Sequence, residues 1–406
     1  MNGSDPLRRK WPTLLVLALA ELLAMGTWFS ASAVVPALTA EWSLDDTGRA
    51  WLTMSVQIGF VVGALGSTLF NLADRVAARL LFAVSALLAA LATALIPLVA
   101  ANLVLALPLR FLTGMFLAGV YPVGMKIMAT WTKADRGLGI GLLVGALTVG
   151  SAAPHLLNAL GGIADWRPVL YLAAGLAATG GLLGLLFVDE GPYRSPAPRF
   201  NWRYIAEVAR DRNLVLTNLG YLGHMWELYA MWAWVPLFLL GSFELAGVSA
   251  VWAGMAAFAV IAAGGLGSLL AGILADRIGR STVAISSLLI SGTCALLIGQ
   301  LYGASPVLVT ALALIWGFAV VADSAQFSAA VSELCRGEFT GTALTLQTSL
   351  GFLLTLFTIW MIPPLVRLVG WQWAFAFLAI GPALGVWAMA SLRRSPAAAL
   401  MAGGRG

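Results

Sequence analysis

The sequence predicts an all-α membrane protein of twelve transmembrane helices built as two six-helix bundles. Three observations carry this. Mean hydropathy is +0.91 and only 10% of residues are charged, against about a quarter in soluble domains. Apolar stretches of bilayer-spanning length recur along the whole chain. The second half repeats landmarks of the first.

A helix needs roughly 20 apolar residues to cross about 30 Å of hydrocarbon, because each backbone polar group must be bonded within the segment. Twelve stretches qualify: 11–38, 49–72, 79–100, 102–131, 137–161, 167–188, 213–241, 247–274, 281–301, 304–333, 338–369 and 371–391. The first follows Arg8, Arg9 and Lys10 and ends near Ala31, Ser32 and Ala33, as a cleaved leader would. Its length and Glu21 favour a retained span.

Net charge is +5, yet the basic residues track the spans rather than forming a nucleic-acid patch. Of 23 Lys and Arg, 18 fall at the termini, in alternate loops or in the linker, and only Arg49, Arg167 and Arg367 lie at the opposite ends. The positive-inside bias predicts a multi-pass protein of the inner (plasma) membrane with both termini cytoplasmic. Cys294 and Cys335 imply no disulfide framework.

Residues 63–69 (GALGSTL) return as 264–270 (GGLGSLL), an offset of 201. Asp74-Arg75 and Asp276-Arg277, Gly139 and Gly341, Pro36 and Pro236, and Trp166 and Trp371 repeat at offsets between 200 and 205. The predicted divisions are residues 1–188, a linker at 189–212, and residues 213–406. The linker is Pro-rich at its start, and RFNWRYIAEVAR within it reads as a tether or a short amphipathic surface helix.

GILADRIGRS, Gly272 to Ser281, sits in the turn after the eighth span. Gly272 admits a close neighbour, Gly279 permits a tight turn, and Asp276 can cap the next helix or pair with arginine, forming a breakable latch. With this motif the chain resembles the major facilitator superfamily, whose signature Gly-x-x-x-Asp-Arg-x-Gly-Arg is matched by Gly272, Asp276, Arg277, Gly279 and Arg280. The first-half copy keeps Asp74, Arg75 and Arg79 but has Phe70 and Ala77 in place of glycine. Arg110 and Gly114 match a fourth-helix Arg-x-x-x-Gly element, for which the resemblance implies an arginine that couples proton movement to conformational change. The residues alone also allow a snorkelling interfacial arginine. The fifth span departs from the Gly-Pro-x-x-Gly-Gly ending of drug antiporters, since Pro154 comes one position early.

Ionisable residues inside spans are costly and mark paths or partners. Glu21, Arg110, Lys126, His155, His224, Glu227 and Asp323 are the seven, and all but His155 lie on spans 1, 4, 7 and 10. The resemblance implies that these four line a central cavity. Packing pairs are the alternative reading for each. Trp28, Trp226, Trp232, Trp234, Tyr121 and Tyr229 are candidate walls. His224 and Glu227, three apart, share a helical face and read as a proton relay or orienting pair; nothing completes a metal site around them.

No nucleotide-binding loop or nucleophile elbow is present, so an enzyme is not expected. The expected function is secondary transport by alternating access, without a cofactor. Its expected partners are a small-molecule substrate, the proton and the lipid bilayer, not nucleic acid, and the chain is expected to act as a monomer. Proton-coupled uptake of a small organic or inorganic anion leads, with proton-driven efflux of an amphipathic compound or a non-transporting sensor as alternatives.

Overall fold

The computed structural model describes residues 6–132, 136–161, 165–193, 201, 203–336 and 340–406. The side chains of Arg8, Asp74 and Arg136 and all of Lys133, Arg194 and Arg199, which entered the charge and latch readings, lie outside the described residues. Among the described residues secondary structure is helical throughout, and eleven helices are long and apolar enough to cross a membrane.

The twelve spans run in order. The first, α1, is Pro6–Met25 continued past a break by Ser30–Ala33 and Val35–Trp42. Next come α2 (Asp46–Leu69), α3 (Ala78–Val99), α4 (Leu103–Leu117 with Tyr121–Ala129), α5 (Arg136–Gly161) and α6 (Arg167–Phe187). After the linker come α7 (Arg212–Leu245), α8 (Ala250–Ile278), α9 (Arg280–Leu297), α10 (Pro306–Ala322 with Ser324–Leu334), α11 (Thr340–Val369) and α12, whose main helix is Ile380–Arg393. The α1 break and its continuation to Trp42 were not visible in hydropathy, because every residue across the break is itself buried. Its eleven-of-twelve status follows from the same interruption: Pro6–Met25 alone carries Arg8, Arg9, Lys10 and Glu21.

Local signals start these helices where the sequence supplies acceptors for free N–H groups. Asp45 accepts from Gly48 N at 2.7 Å ahead of α2, Asn102 from Leu105 N at 3.1 Å ahead of α4, and Asp211 from Asn213 and Leu214 N ahead of α7. In the linker, Arg203–Arg210 forms one short helix that buries Val208 against Leu214, Val331 and Ala343.

Within the first half α1 packs on α5 and α6, α2 on α4, and α3 on α4 and α6. The second half repeats the scheme, α7 on α11 and α12, α8 on α10, and α9 on α10 and α12. The halves meet along α5 with α8 and α2 with α11. Small residues set the first of these contacts. A Cβ on Gly145 would lie 3.2 Å from Gly265 O, and one on Gly265 would lie 3.1 Å from Gly145 O, so the two backbones touch directly. One end of the bundle carries the linker and the Asp-Arg turns; the other is here called the far end.

Candidate functional site

An aromatic layer crosses the middle of the interface between the halves. From the first half come Trp28 and Phe29 on α1 and Phe60 on α2; from the second come Tyr229 and Trp232 on α7 and Phe352 on α11. Ring centroids stand 4.6 Å apart for Phe60 and Phe352, 4.9 Å for Trp28 and Phe60, 5.1 Å for Tyr229 and Phe352, and 5.8 Å for Phe29 and Trp232. Such offset and edge contacts add to apolar burial. The indole N–H groups of Trp28 and Trp232 are buried in this layer without a protein acceptor.

On the linker side of the layer lies a cavity of about 80 Å³, walled by Tyr121 and Met125 of α4, Thr148 of α5, Tyr221, Met225, Tyr229 and Trp232 of α7, Ser324 and Ser328 of α10, and Phe352 of α11. Drug-sized pockets run to about 300–1,000 Å³. The halves are thus closed on each other around the site, and a drug-sized solute requires them to part. No Lys, Arg, Asp, Glu or His lines the cavity among the described residues.

The predicted intramembrane charges stand one layer behind. Glu21 is fully buried and both its oxygens lack a hydrogen-bond partner. It reaches the spot where Gly124 has no side chain: a Cβ there would lie 2.6 Å from Glu21 Oε2. Gly124 is one turn from the cavity-lining Tyr121. In the other half, His224 Nδ1 lies 2.8 Å from Asp323 Oδ1, both side chains buried, directly behind Tyr221 and Ser324. Asp323 is the residue at which α10 breaks, serving as C-cap of one segment and N-cap of the next.

His224 and Glu227 do share a face, but that face is turned onto the neighbouring helices. Glu227 accepts from Trp316 Nε1 at 2.6 Å on α10 and from Ser291 Oγ at 2.8 Å on α9. His224 meets Asp323, and three residues later Glu227 meets Trp316, seven residues earlier on α10, so the two contacts run in opposite chain directions as in antiparallel helices. Trp226, expected on the same path, points elsewhere. Its ring packs on Phe357 and Phe377 and its N–H donates to Phe377 O at 3.2 Å.

Arg110 does not snorkel; it is fully buried. It donates to Leu52 O at 3.2 Å, to Thr27 O at 2.9 Å, to Ser30 Oγ at 3.3 Å and to Trp28 O. Thr27 and Trp28 follow the end of Pro6–Met25, where carbonyls have no helical partner and the helix dipole is negative. The guanidinium thereby holds the α1 break open and fixes the backbone that carries Trp28. Lys126 is half-buried near the linker end of α4, next to Met125.

At the Asp-Arg turn, Arg280 grips Glu333 with two bonds, at 2.7 and 2.8 Å, and reaches Gln326 at 3.3 Å. Gly279 has φ +96°, a conformation that favours glycine. Asp276 faces the first turn of α5 across the interface: a Cβ on Gly137 would lie 2.6 Å from its Oδ2, and one on Gly272 would lie 2.7 Å from Gly137 O. A carboxylate at that helix start is favoured by the dipole. Arg277 and Arg75 are exposed. In the first half, Arg79 pairs with Asp189 at 2.9 Å. Residues 401 and 402 also pack here, with Met401 fully buried and Ala402 N donating to Glu333.

Phe29, Phe60, Phe352 and Tyr221 were not singled out from the sequence. Each is one aromatic in an apolar span, and only the meeting of four spans distinguishes them.

The family model of the Major Facilitator Superfamily matches residues 17–267. The chain belongs to this superfamily. Two curated members align over parts of it. The niacin transporter NiaP of Acinetobacter baylyi is 31% identical over 156 residues, 36% of this chain and 33% of that protein. The puromycin resistance protein pur8 of Streptomyces alboniger is 32% identical over 194 residues, 46% of this chain and 36% of that one. The matches thus span about a third of each relative. Among solved structures, the nucleoside transporter NupG (D323A mutant) superposes with TM-score 0.71 at 16% identity, covering 94% of this chain and 99% of the other. The human organic anion transporter MFSD10 (TETRAN) gives 0.68 at 18%, covering 95% and 100%. These establish the superfamily fold. The protein is a multi-pass membrane protein of this transporter superfamily.

Proposed function

We propose that the protein is a proton-coupled secondary transporter that moves a small amphipathic organic solute by alternating access, with both termini cytoplasmic. The observation that carries this is the cavity beneath the aromatic layer: an aromatic and hydroxyl wall with no charged lining residue among those described, flanked in each half by a buried acid. Aromatic faces suit an apolar body, while the free N–H group of Trp232 offers a donor. Glu21 in one half and Asp323 with His224 in the other are the groups to carry protons, since burying an unpaired charge is costly and neutralisation relieves it. Loading or release of a proton then changes which packing of the two halves is favoured.

The reading of anion uptake needs a basic partner for a carboxylate or inorganic anion, and Arg110 and Lys126 are the basic residues set inside the spans. All three nitrogens of Arg110 are engaged by α1, α2 and Ser30, so that reading now rests on Lys126. The similar proteins support small organic compounds as the substrate class, niacin and puromycin being the names at hand.

Reconstitution into proteoliposomes containing a pH-sensitive dye tests the proposal. Niacin and puromycin are added under an imposed pH gradient. Solute-dependent proton movement, lost in Glu21→Gln or Asp323→Asn, supports it. Solute binding without flux would point to a sensor, and solute flux indifferent to the proton gradient would remove the coupling.

A further inference from the structure

A second cavity, of about 100 Å³, lies between the halves on the far side of the aromatic layer, where α1, α5, α7 and α8 meet. It begins one helical turn beyond the layer. Ala33 follows Phe29 by four residues, Pro236 follows Trp232 by four, and both line it. The central cavity and this one are thus separated by a single thickness of aromatic rings, and Pro36 and Pro236, the repeated prolines, both lie in its wall.

Its two sides differ in chemistry. The first half supplies Ser32, His155 and Asn158; the second supplies apolar groups including Pro236, Leu237 and Ala253. His155 is 3% exposed and its Nε2 has no hydrogen-bond partner. Buried polar atoms are nearly always paired, so this one asks for a partner that the chain does not supply. Asn158 donates from Nδ2 to Ala33 O at 3.0 Å, which fixes the amide and leaves its Oδ1 as an acceptor. Among the described residues no charged side chain lines the cavity.

We propose that this cavity is a far-side binding station for small uncharged amides, or for the amide end of a larger solute, held by His155 and Asn158 with its hydrocarbon part against the proline and alanine wall. An amide N–H and C=O can answer one acceptor and one imidazole nitrogen at once. A carboxylate or an ammonium of the same size would lose its hydration with no counter-charge in the lining. The volume, below the roughly 150 Å³ of a cavity that accepts benzene, sets the size at a few heavy atoms. As a stage on the solute's path this rests on the transport reading; as a binding site it does not.

His155 and His224 are the only histidines, so the full-length protein labelled with ¹⁵N-histidine in lipid nanodiscs gives two imidazole reporters, assigned with His155→Gln. Propionamide, propionate and propylammonium form a series of one size and three charges. Propionamide is expected to shift the His155 resonance saturably, with each ion giving less than about a tenth of that shift at equal concentration. Ala250→Phe, which fills the cavity wall, should abolish the response while leaving the His224 resonance in place as evidence of folding. The station is overturned if His155 ignores propionamide, responds alike to all three, or responds equally in Ala250→Phe. Proton flux measured on the same preparations separates the two readings. Intact flux with a silent His155 removes the station alone, whereas a responsive His155 without flux keeps the site and removes the transport reading.

Discussion

His224 Nδ1 stands 2.8 Å from Asp323 Oδ1, tying α7 to the break in α10. Neither side chain reaches solvent, and on the proposed reading the pair holds the coupled proton beside the cavity wall at Tyr221 and Ser324.

Breaking that pair has a distinctive signature. Asp323→Asn should abolish proton-driven accumulation, by at least about tenfold, while leaving solute exchange at equal pH within about threefold of wild type. Unfolding measurements on His224→Ala, Asp323→Ala and the double variant should give a coupling of about 0.5–3 kcal/mol. Strict additivity would mean that the two residues are neighbours without an energetic link.

Arg110→Lys tests the clamp on α1. An ammonium is a compact donor and cannot reach Leu52, Thr27 and Trp28 together as the planar fork does. Each lost bond from the charged group is worth about 1.5–3 kcal/mol, so the variant should melt at a lower temperature and lose transport with it. A lysine variant with wild-type melting and flux would show that the break in α1 needs only a positive charge.

How much of this was legible differs by level. Spans, duplication and the Asp-Arg turn could be read because hydropathy and spacing are one-dimensional signals. The three-residue spacing of His224 and Glu227 correctly gave a shared face. What that face meets was not readable, because α7 is buried on nearly every side and periodicity loses its direction when no side is polar. Asp323 lies 99 positions from His224, and only the packing of α7 on α10 makes them a pair. Arg110 stayed open between a buried and an interfacial reading for a related reason. Its partners are main-chain oxygens freed by a helix break, and carbonyls leave no mark in a sequence.

The far end of the interface is held by Arg367 of α11 against Asp46 of α2, with Arg49 also on Asp46 at 3.2 Å. Arg367 is 62% exposed and Asp46 32%, so the pair belongs with surface ion pairs worth up to about 1 kcal/mol. Asp46→Asn should therefore move the balance between the closed and far-side-open states by no more than about fivefold. A cysteine placed at Ala253 in a chain lacking Cys294 and Cys335, treated with an impermeant thiol reagent, reads that balance. High salt should narrow the difference between variant and parent. A hundredfold gain in labelling would mean that the pair is the main lock, contrary to its exposure.

The opposite end closes on backbone rather than on charge, which makes Gly272 the harsher test. A Cβ there meets Gly137 O at 2.7 Å, and neither a helix carbonyl nor a helix axis gives way as a flexible side chain does. Gly272→Ala should push α8 from α5 by a few tenths of an ångström, and Gly272→Leu by far more, carrying Asp276 off the start of α5. Both variants should still fold, since the contact joins two bundles rather than the core of either. Flux should fall from alanine to leucine, while thiol labelling of a cysteine at Ser328, in the central cavity, should rise in the same order from the linker side. Equal flux for glycine, alanine and leucine would show that the halves need not touch here during the cycle. A fall in flux with unchanged labelling would place the defect in closure at the far end instead.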